Sequence, residues 1–135
     1  MRPNKSAMGF SLIELLLVLV IIGIISAIAI PTLAGQRRRA RVIGDAQSNA
    51  QNIRMQLETR RADTGRYGAG TYTWNATGTA SDSSFIPSFT PKGNSKMTYS
   101  VAVGPLAYVI TVTDLQTGQV AFQTNEKGET LQRLQ

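Results

Sequence analysis

Residues 8–33 read MGFSLIELLLVLVIIGIISAIAIPTL, and this stretch decides how the chain is organised. From residue 10 to residue 34, 25 consecutive residues carry a single charge, that of Glu14. A helix of that length measures about 37 Å, which exceeds the roughly 30 Å of a bilayer's hydrocarbon core. The stretch therefore predicts a helix able to span a membrane. A carboxylate within it is costly in lipid and calls for a partner.

The composition of the 135-residue chain limits the chemistry that the remaining part can carry. The sequence contains neither cysteine nor histidine, so the usual catalytic triads and zinc sites are excluded. The remaining acids are scattered singly, and the glycines do not form a phosphate-binding loop. Asp82 or Asp114 could contribute to a calcium site, but no ordered set of oxygen ligands accompanies either of them. We therefore predict a protein that is not an enzyme and that uses no cofactor or metal.

Three interpretations of the apolar stretch compete. As a secretory signal it would have Arg2 and Lys5 as its basic start and Ala27-Ile28-Ala29 as its cleavage site, so that the mature chain would begin at Ile30. As a plain membrane anchor it has the right length, but Glu14 is unexplained, and the positive-inside rule weakly favours an outside N-terminus. The third interpretation is a helix that lies first in a membrane and later in a protein assembly.

A motif at the start of the stretch supports the third interpretation. Residues 9–15, GFSLIEL after a short basic leader, resemble the processing and methylation motif of type IV prepilins and type II secretion pseudopilins. The resemblance covers residues 9–35: a small residue, Phe, Glu four residues later, a long apolar run and Pro. It implies that a prepilin peptidase cuts between Gly9 and Phe10 on the cytoplasmic side and methylates the new amine of Phe10.

The resemblance also implies what the helix does after cleavage. The subunits would form a homo-oligomeric helical filament, assembled by a cytoplasmic ATPase and an inner-membrane platform. The acid that matches Glu14 neutralises the N-terminal amine of an adjacent subunit, which here is the amine of Phe10. Two opposite charges attract strongly in a core of low dielectric, whereas either charge alone is costly. The alternative is a carboxylate that snorkels to the membrane edge.

Gly23 and Pro31 weaken the same helix, because Pro removes a backbone hydrogen bond and Gly has a low helix propensity. One interpretation is a harmless kink, since membrane helices tolerate both residues. In filaments of the family the helix can lose its regular bonds between the matching positions. We therefore expect residues 23–31 to melt partly in a filament, and the isolated subunit to keep a mostly continuous, bent helix.

The rest of the chain predicts an α+β fold, in which a long N-terminal helix packs against a small antiparallel sheet of three or four strands. Residues 32–62 continue the helix, and a stripe of apolar or small residues marks its buried face: Leu33, Ala40, Ile43, Ala46, Ala50, Ile53 and Leu57. Asp63-Thr64-Gly65 ends the helix. Residues 65–95 predict a long loop pinned by aromatic side chains, with at most one short strand around residues 71–75. Alternating β-rich segments predict strands at 96–103, 106–114, 119–124 and 130–133.

These elements divide the chain into four parts. We assign residues 1–9 to a cleaved leader, 10–34 to the membrane and filament-core helix, 35–64 to the amphipathic half of the helix, and 65–135 to a globular head with its loop (65–95) and sheet (96–134).

A basic cluster follows the apolar stretch and supplies much of the formal charge of +6: Arg37, Arg38, Arg39 and Arg41. At helical spacing these residues point around most of the circumference, so they do not form a stripe. The family position suggests the outer edge of the bilayer, where they could meet lipid phosphates or, in a filament, acids such as Asp45 or Glu58 of neighbouring subunits. Binding of DNA is a less favoured alternative.

The resemblance thus implies a structural subunit of a type IV pilus, a fibre that serves adhesion, twitching motility and DNA uptake. Such a chain is a single-pass inner-membrane protein before assembly and part of an extracellular filament afterwards. A type II secretion pseudopilin is the alternative within the family. The C-terminal half lacks the aromatic-Gly-Pro landmarks of major pseudopilins, and it also lacks the cysteine pair of many pilins. A membrane-anchored or secreted binding domain that never polymerises is the alternative from a different class.

Overall fold

The computed structural model describes residues 9–135, so the predicted leader lies outside the described residues except for Gly9. One long helix precedes five strands in this part of the chain. The elements are α1 (Leu12–Thr64), β1 (Gly70–Trp74), β2 (Met97–Val103), β3 (Tyr108–Asp114), β4 (Val120–Asn125) and β5 (Thr130–Arg133). The chain separates into two units, one that ends at Arg37 and one from Arg38 to Gln135, and each is described by itself.

The first unit is the apolar part of α1. The helix runs without interruption through Gly23 and past Pro31, so its expected continuity is confirmed. Its large apolar side chains, from Leu12 to Leu33, are all exposed. By length and composition this helix could cross a membrane, and it could therefore anchor the chain there.

In the second unit, the amphipathic part of α1 packs against the sheet. Its buried residues recur at intervals of three and four along one face: Val42, Ile43, Ala46, Asn49, Ala50, Ile53 and Leu57. The predicted stripe is therefore confirmed from Ile43 onwards. Leu33 and Ala40 were wrongly included, because the buried face begins only at Val42 and both residues are exposed.

The helix ends where the sequence predicts. Gly65 has a φ of 78°, and its N–H donates to the carbonyl of Arg61 at 2.7 Å. This left-handed conformation closes the last turn, and glycine adopts it without the penalty that a Cβ brings.

The sheet is an antiparallel meander in the order β1-β2-β3-β4-β5. Alternate residues of β2 and β3 face the helix and supply seven of the 18 buried residues of the core: Met97, Tyr99, Val101 and Val103 from β2, and Tyr108, Ile110 and Val112 from β3. The count of three or four strands was slightly low. The additional strand, β1, is the short strand expected around residues 71–75 of the loop, and it pairs with β2 in a register that sets Tyr72 opposite Val101.

The remainder of the loop is held to the core by aromatic and amide contacts, as predicted for its aromatic side chains. The Trp74 indole N–H donates to the carbonyl of Pro87 at 3.0 Å, and Phe89 packs edge-on against the rings of Trp74 and Tyr99. Asn49 of α1 is fully buried, and its side chain both accepts from the N–H of Lys92 and donates to the carbonyl of Lys92. These bonds explain why a polar residue lies in an otherwise apolar stripe.

Candidate functional site

The predicted cleavage site lies just before the helix. Gly9 and Phe10 precede the start of α1, and the Phe10 side chain is 84% exposed. Among residues 9–135, no atom beyond the chain neighbours lies within 4 Å of the position that a Cβ would take at Gly9. Gly9 and Phe10 are both exposed and lie outside regular secondary structure.

Glu14 lies in the first turn of α1 and caps it. Its carboxylate Oε2 accepts a hydrogen bond from the backbone N–H of Ser11 at 3.0 Å, and the carbonyl of Ser11 accepts from the N–H of Glu14. This is the glutamate half of a capping box, in which an acid three residues after the N-cap satisfies the N-cap N–H. The sequence carries the signal for this cap as Ser11-Leu12-Ile13-Glu14, which has the Ser-x-x-Glu spacing of a capping box.

Gly23 and Pro31 lie inside the continuous helix rather than at a break. A Cβ at Gly23 would meet nothing within 4 Å, so the glycine does not serve close packing within the described chain. Pro31 has no N–H, so the carbonyl of Ala27 lacks the helical donor that any other residue would supply. Gly23 and Pro31 therefore lower the free energy that local unwinding of the helix would cost, although the helix is continuous at both positions in the structure.

The four arginines of the basic cluster do not behave alike. Arg38 is partly buried and reaches the end of β3, where its guanidinium donates to Asp114 at 2.9 Å and to Gln116 Oε1 at 2.7 Å. The side chains of Arg37, Arg39 and Arg41 are exposed. One member of the cluster is therefore part of the head, which the sequence could not indicate because Arg38 and Asp114 are 76 residues apart.

Asp114 is the acceptor for three separate donors. Its side chain is 2% exposed, and it accepts from the Arg38 guanidinium, the N–H of Gln116 and the hydroxyl of Thr117. Burial by itself would raise the pKa of this carboxyl, but the hydrogen bonds from Gln116 and Thr117 and the charge of Arg38 outweigh burial and hold the pKa below its usual value. Asp114 is therefore a charged joint between helix and sheet.

Asp82, the other acid considered for calcium, caps a local turn. It accepts from both the N–H and the hydroxyl of Ser84, and these bonds lower the pKa of its carboxyl. Within residues 9–135, no group of three or more acidic, histidine or cysteine side chains is placed to hold a metal ion.

A second polar joint lies further along α1. The Glu58 carboxylate accepts from the hydroxyls of Tyr67 at 3.0 Å and Tyr108 at 3.1 Å, and Arg61 donates to the Tyr67 hydroxyl at 2.9 Å. Burial and the adjacent Glu58 charge raise the pKa of Tyr108, so its phenol stays protonated as a donor. Asp45 accepts from the Ser95 N–H, so Glu58 and Asp45 both have hydrogen-bond partners within the head.

Comparison with known proteins gives no match: no protein family, no curated protein and no solved structure matches the chain. The structure by itself establishes an α+β fold and an N-terminal helix that could anchor in a membrane.

Proposed function

We propose that the chain is a structural subunit of a type IV pilus. A prepilin peptidase cuts between Gly9 and Phe10 and methylates Phe10, and the subunits then polymerise through α1 into a surface filament. The protein lies in the inner membrane as a single-pass subunit before assembly and in an extracellular fibre afterwards. The fibre serves adhesion, twitching motility or DNA uptake.

The observation that carries this proposal is the exposed apolar surface of α1 between Leu12 and Leu33. Apolar surface left in water costs about 25 cal/mol per Å², so a helix that is apolar all round needs lipid or other protein around it. Lipid covers such a helix before assembly, and the helices of other subunits cover it in a filament. The processing motif at Gly9 and Phe10 supports both environments, the membrane before assembly and the filament afterwards.

Glu14 supports assembly more than simple anchoring. Among residues 9–135 its carboxylate accepts one hydrogen bond, from the Ser11 N–H, whereas a carboxylate can accept several. A methylated amine from a neighbouring Phe10 would supply the missing positive charge in a low-dielectric core. A plain membrane anchor supplies no such partner.

Mass spectrometry of the mature N-terminus tests the proposal. The chain purified from membranes of a host with a prepilin peptidase should begin at a methylated Phe10. A matched variant, Gly9→Val, should remain uncut, and the open space around Gly9 means that the substitution does not disturb the fold. A mature chain that begins at Ile30 would show ordinary signal-peptide cleavage and overturn the proposal.

Electron microscopy of sheared surface material tests polymerisation separately. Long fibres that contain the chain are expected. A methylated chain that is found only in short periplasmic assemblies during secretion would favour the pseudopilin alternative, whereas a processed chain that never polymerises would favour a binding domain.

A further inference from the structure

A groove of about 490 Å³ opens on the head beside the polar joint of Asp114. Three segments that are far apart in the sequence line it: the start of the amphipathic helix, the segment before β2 and the turn after β3. The residues are Arg38, Arg41, Val42, Asn94, Ser95, Lys96, Asp114, Leu115 and Gln116.

The charge around the groove is unbalanced. Three cations and one carboxylate line it, and the carboxylate, Asp114, is already bonded to Arg38. Within residues 9–135, the side chains of Arg41 and Lys96 form no hydrogen bond, and the only ion pair within 4.0 Å is that of Arg38 with Asp114. Asp45, four residues after Arg41, directs its carboxylate to the Ser95 N–H. Arg41 and Lys96 thus border the groove without an ion pair within 4.0 Å among the described residues.

The groove also has an apolar side. Leu115 lies at the turn after β3 with 51% of its surface exposed, and Val42 forms part of the buried floor. Two unneutralised cations beside an exposed leucine suit a molecule that carries an anionic group and an apolar portion together.

The place of these residues in the chain indicates the source of such a molecule. Arg41 follows Ala34, the last residue of the apolar stretch, by seven residues. Seven residues of helix span about 10 Å, whereas the polar headgroup layer on each side of the hydrocarbon core is roughly 5–8 Å thick. Arg38 and Arg41 therefore fall at or just beyond the level of lipid phosphates when the apolar stretch spans a bilayer.

We propose that this groove binds the headgroup phosphate of an anionic phospholipid, with Arg41 and Lys96 as ligands of the phosphate and Leu115 in contact with the glycerol and acyl portion. Arg38 does not act as a ligand, because Asp114 and Gln116 hold its guanidinium. The site would fix the head at the membrane surface before assembly. It rests on the membrane residence that the proposed function includes, but not on cleavage or polymerisation.

Native mass spectrometry of the full, unassembled chain in detergent tests the site with phosphatidylglycerol and phosphatidylcholine as probes. The unmodified chain should retain one phosphatidylglycerol in preference to phosphatidylcholine. The double variant Arg41→Gln/Lys96→Gln should lower the affinity for phosphatidylglycerol by about tenfold or more, since each basic group near a lipid surface contributes roughly 1 kcal/mol. The side chains of Arg41 and Lys96 make no hydrogen bond or ion pair within residues 9–135, so the thermal unfolding of the double variant should match that of the unmodified chain.

The matched control is Arg37→Gln/Arg39→Gln, which removes the same charge from exposed positions that do not line the groove. It should bind phosphatidylglycerol like the unmodified chain. Equal losses in both double variants would show diffuse attraction to the basic cluster, and no loss in either would place the lipid elsewhere. Both outcomes would overturn the proposal.

Leu115→Ser and inorganic phosphate distinguish a lipid from a free anion. Leu115→Ser should weaken retention of phosphatidylglycerol, and millimolar inorganic phosphate should not displace the lipid. If Leu115→Ser retains phosphatidylglycerol normally and inorganic phosphate displaces the lipid, the groove is a site for a free anion, and the lipid assignment is overturned. Because none of these measurements needs a cut or assembled chain, their failure would leave the pilus proposal intact, and a failure to polymerise would leave the lipid site intact.

Discussion

Among single residues, Glu14 has one partner in the structure and a second, different partner in the proposed filament. In the isolated chain its carboxylate caps α1 through the Ser11 N–H, a bond that a neutral amide can also accept. In the proposed filament it would face the amine of a neighbouring Phe10, and that attraction needs a full negative charge. The two roles therefore differ in whether they require charge, which makes them separable by substitution.

Glu14→Gln and Glu14→Ala separate them. Gln keeps the cap and removes the charge, whereas Ala removes both and costs the helix start about 1 kcal/mol. Both variants should be processed normally, and both should yield far fewer sheared fibres per processed subunit. Ser11→Ala is the control, because the cap uses the backbone N–H of Ser11, and its fibre yield should be unchanged. Normal yield from Glu14→Gln would mean that Glu14 serves only as a cap.

Asp114 links the stability of the head to pH. Its pKa is lowered in the folded chain, so the carboxylate stabilises the fold above the ordinary aspartate pKa of about 3.9. This contribution is lost as the pH falls through the lower folded pKa. Asp114→Asn should therefore cost about 1–3 kcal/mol at neutral pH, since it removes the charged acceptor of Arg38 and leaves Gln116 as the remaining partner.

Denaturant unfolding of the chain in detergent over a range of pH measures this effect. The gap between the unmodified chain and Asp114→Asn should narrow as the medium becomes strongly acidic. Asp63→Asn is the matched control, because Asp63 is exposed and its side chain makes no hydrogen bond within residues 9–135. A gap between the unmodified chain and Asp114→Asn that is constant with pH would contradict the linkage.

At the scale of elements, two polar joints fix the amphipathic helix on the sheet. Arg38 with Asp114 forms one joint, and Glu58 with Tyr108 forms the other. Arg38 and Glu58 are 20 residues apart, which is about 30 Å of helix. The apolar stripe lies between them and supplies the burial, while the joints select one register of helix on sheet. A chain with no cysteine thus gains specificity from directional hydrogen bonds.

Two glycines that end or shape elements, Gly65 and Gly78, have similar φ angles but different surroundings. The cost of replacing each with alanine should therefore differ. Gly65 ends α1 at φ 78° with open space where a Cβ would lie, whereas at Gly78, φ 80°, a Cβ would clash with the carbonyl oxygen of Phe89. Gly65→Ala should cost about 1 kcal/mol, the strain of the left-handed conformation alone. Gly78→Ala should cost distinctly more, since the backbone of the loop must also move. Thermal unfolding of both variants measures the difference, and equal costs would contradict the close approach at Gly78.

The elements also show what the sequence could and could not predict. The stripe from Ile43 to Leu57 follows a local period, so the buried helix face was predictable. The strand β1 was not predictable as part of the sheet, because its pairing of Tyr72 with Val101 joins segments 29 residues apart. The contact of Arg38 with the head was unpredictable for the same reason, since nothing near Arg38 in the sequence identifies Asp114 as its partner.

At the scale of the whole molecule, the two units differ in what they need from their surroundings. Every buried apolar side chain among residues 9–135 lies at Val42 or later. Residues 9–37 contribute none, and their large apolar side chains are exposed. The head should therefore be a folding unit in its own right, and the apolar helix should be the part that determines membrane residence and assembly.

A fragment of residues 36–135 tests this division. It should be soluble without detergent and unfold in a single cooperative transition, because it retains the whole core and both polar joints. Ile53→Ala within the fragment removes a side chain that is 0% exposed, so it should lower the free energy of unfolding by about 2–5 kcal/mol and show that the transition reports this core. Added to cells that assemble the full chain, the fragment should be absent from sheared fibres, since it lacks Phe10, Glu14 and the apolar helix. A fragment that aggregates or unfolds without cooperativity would show that the head depends on the N-terminal helix, and a fragment that enters fibres would show that assembly proceeds through the head.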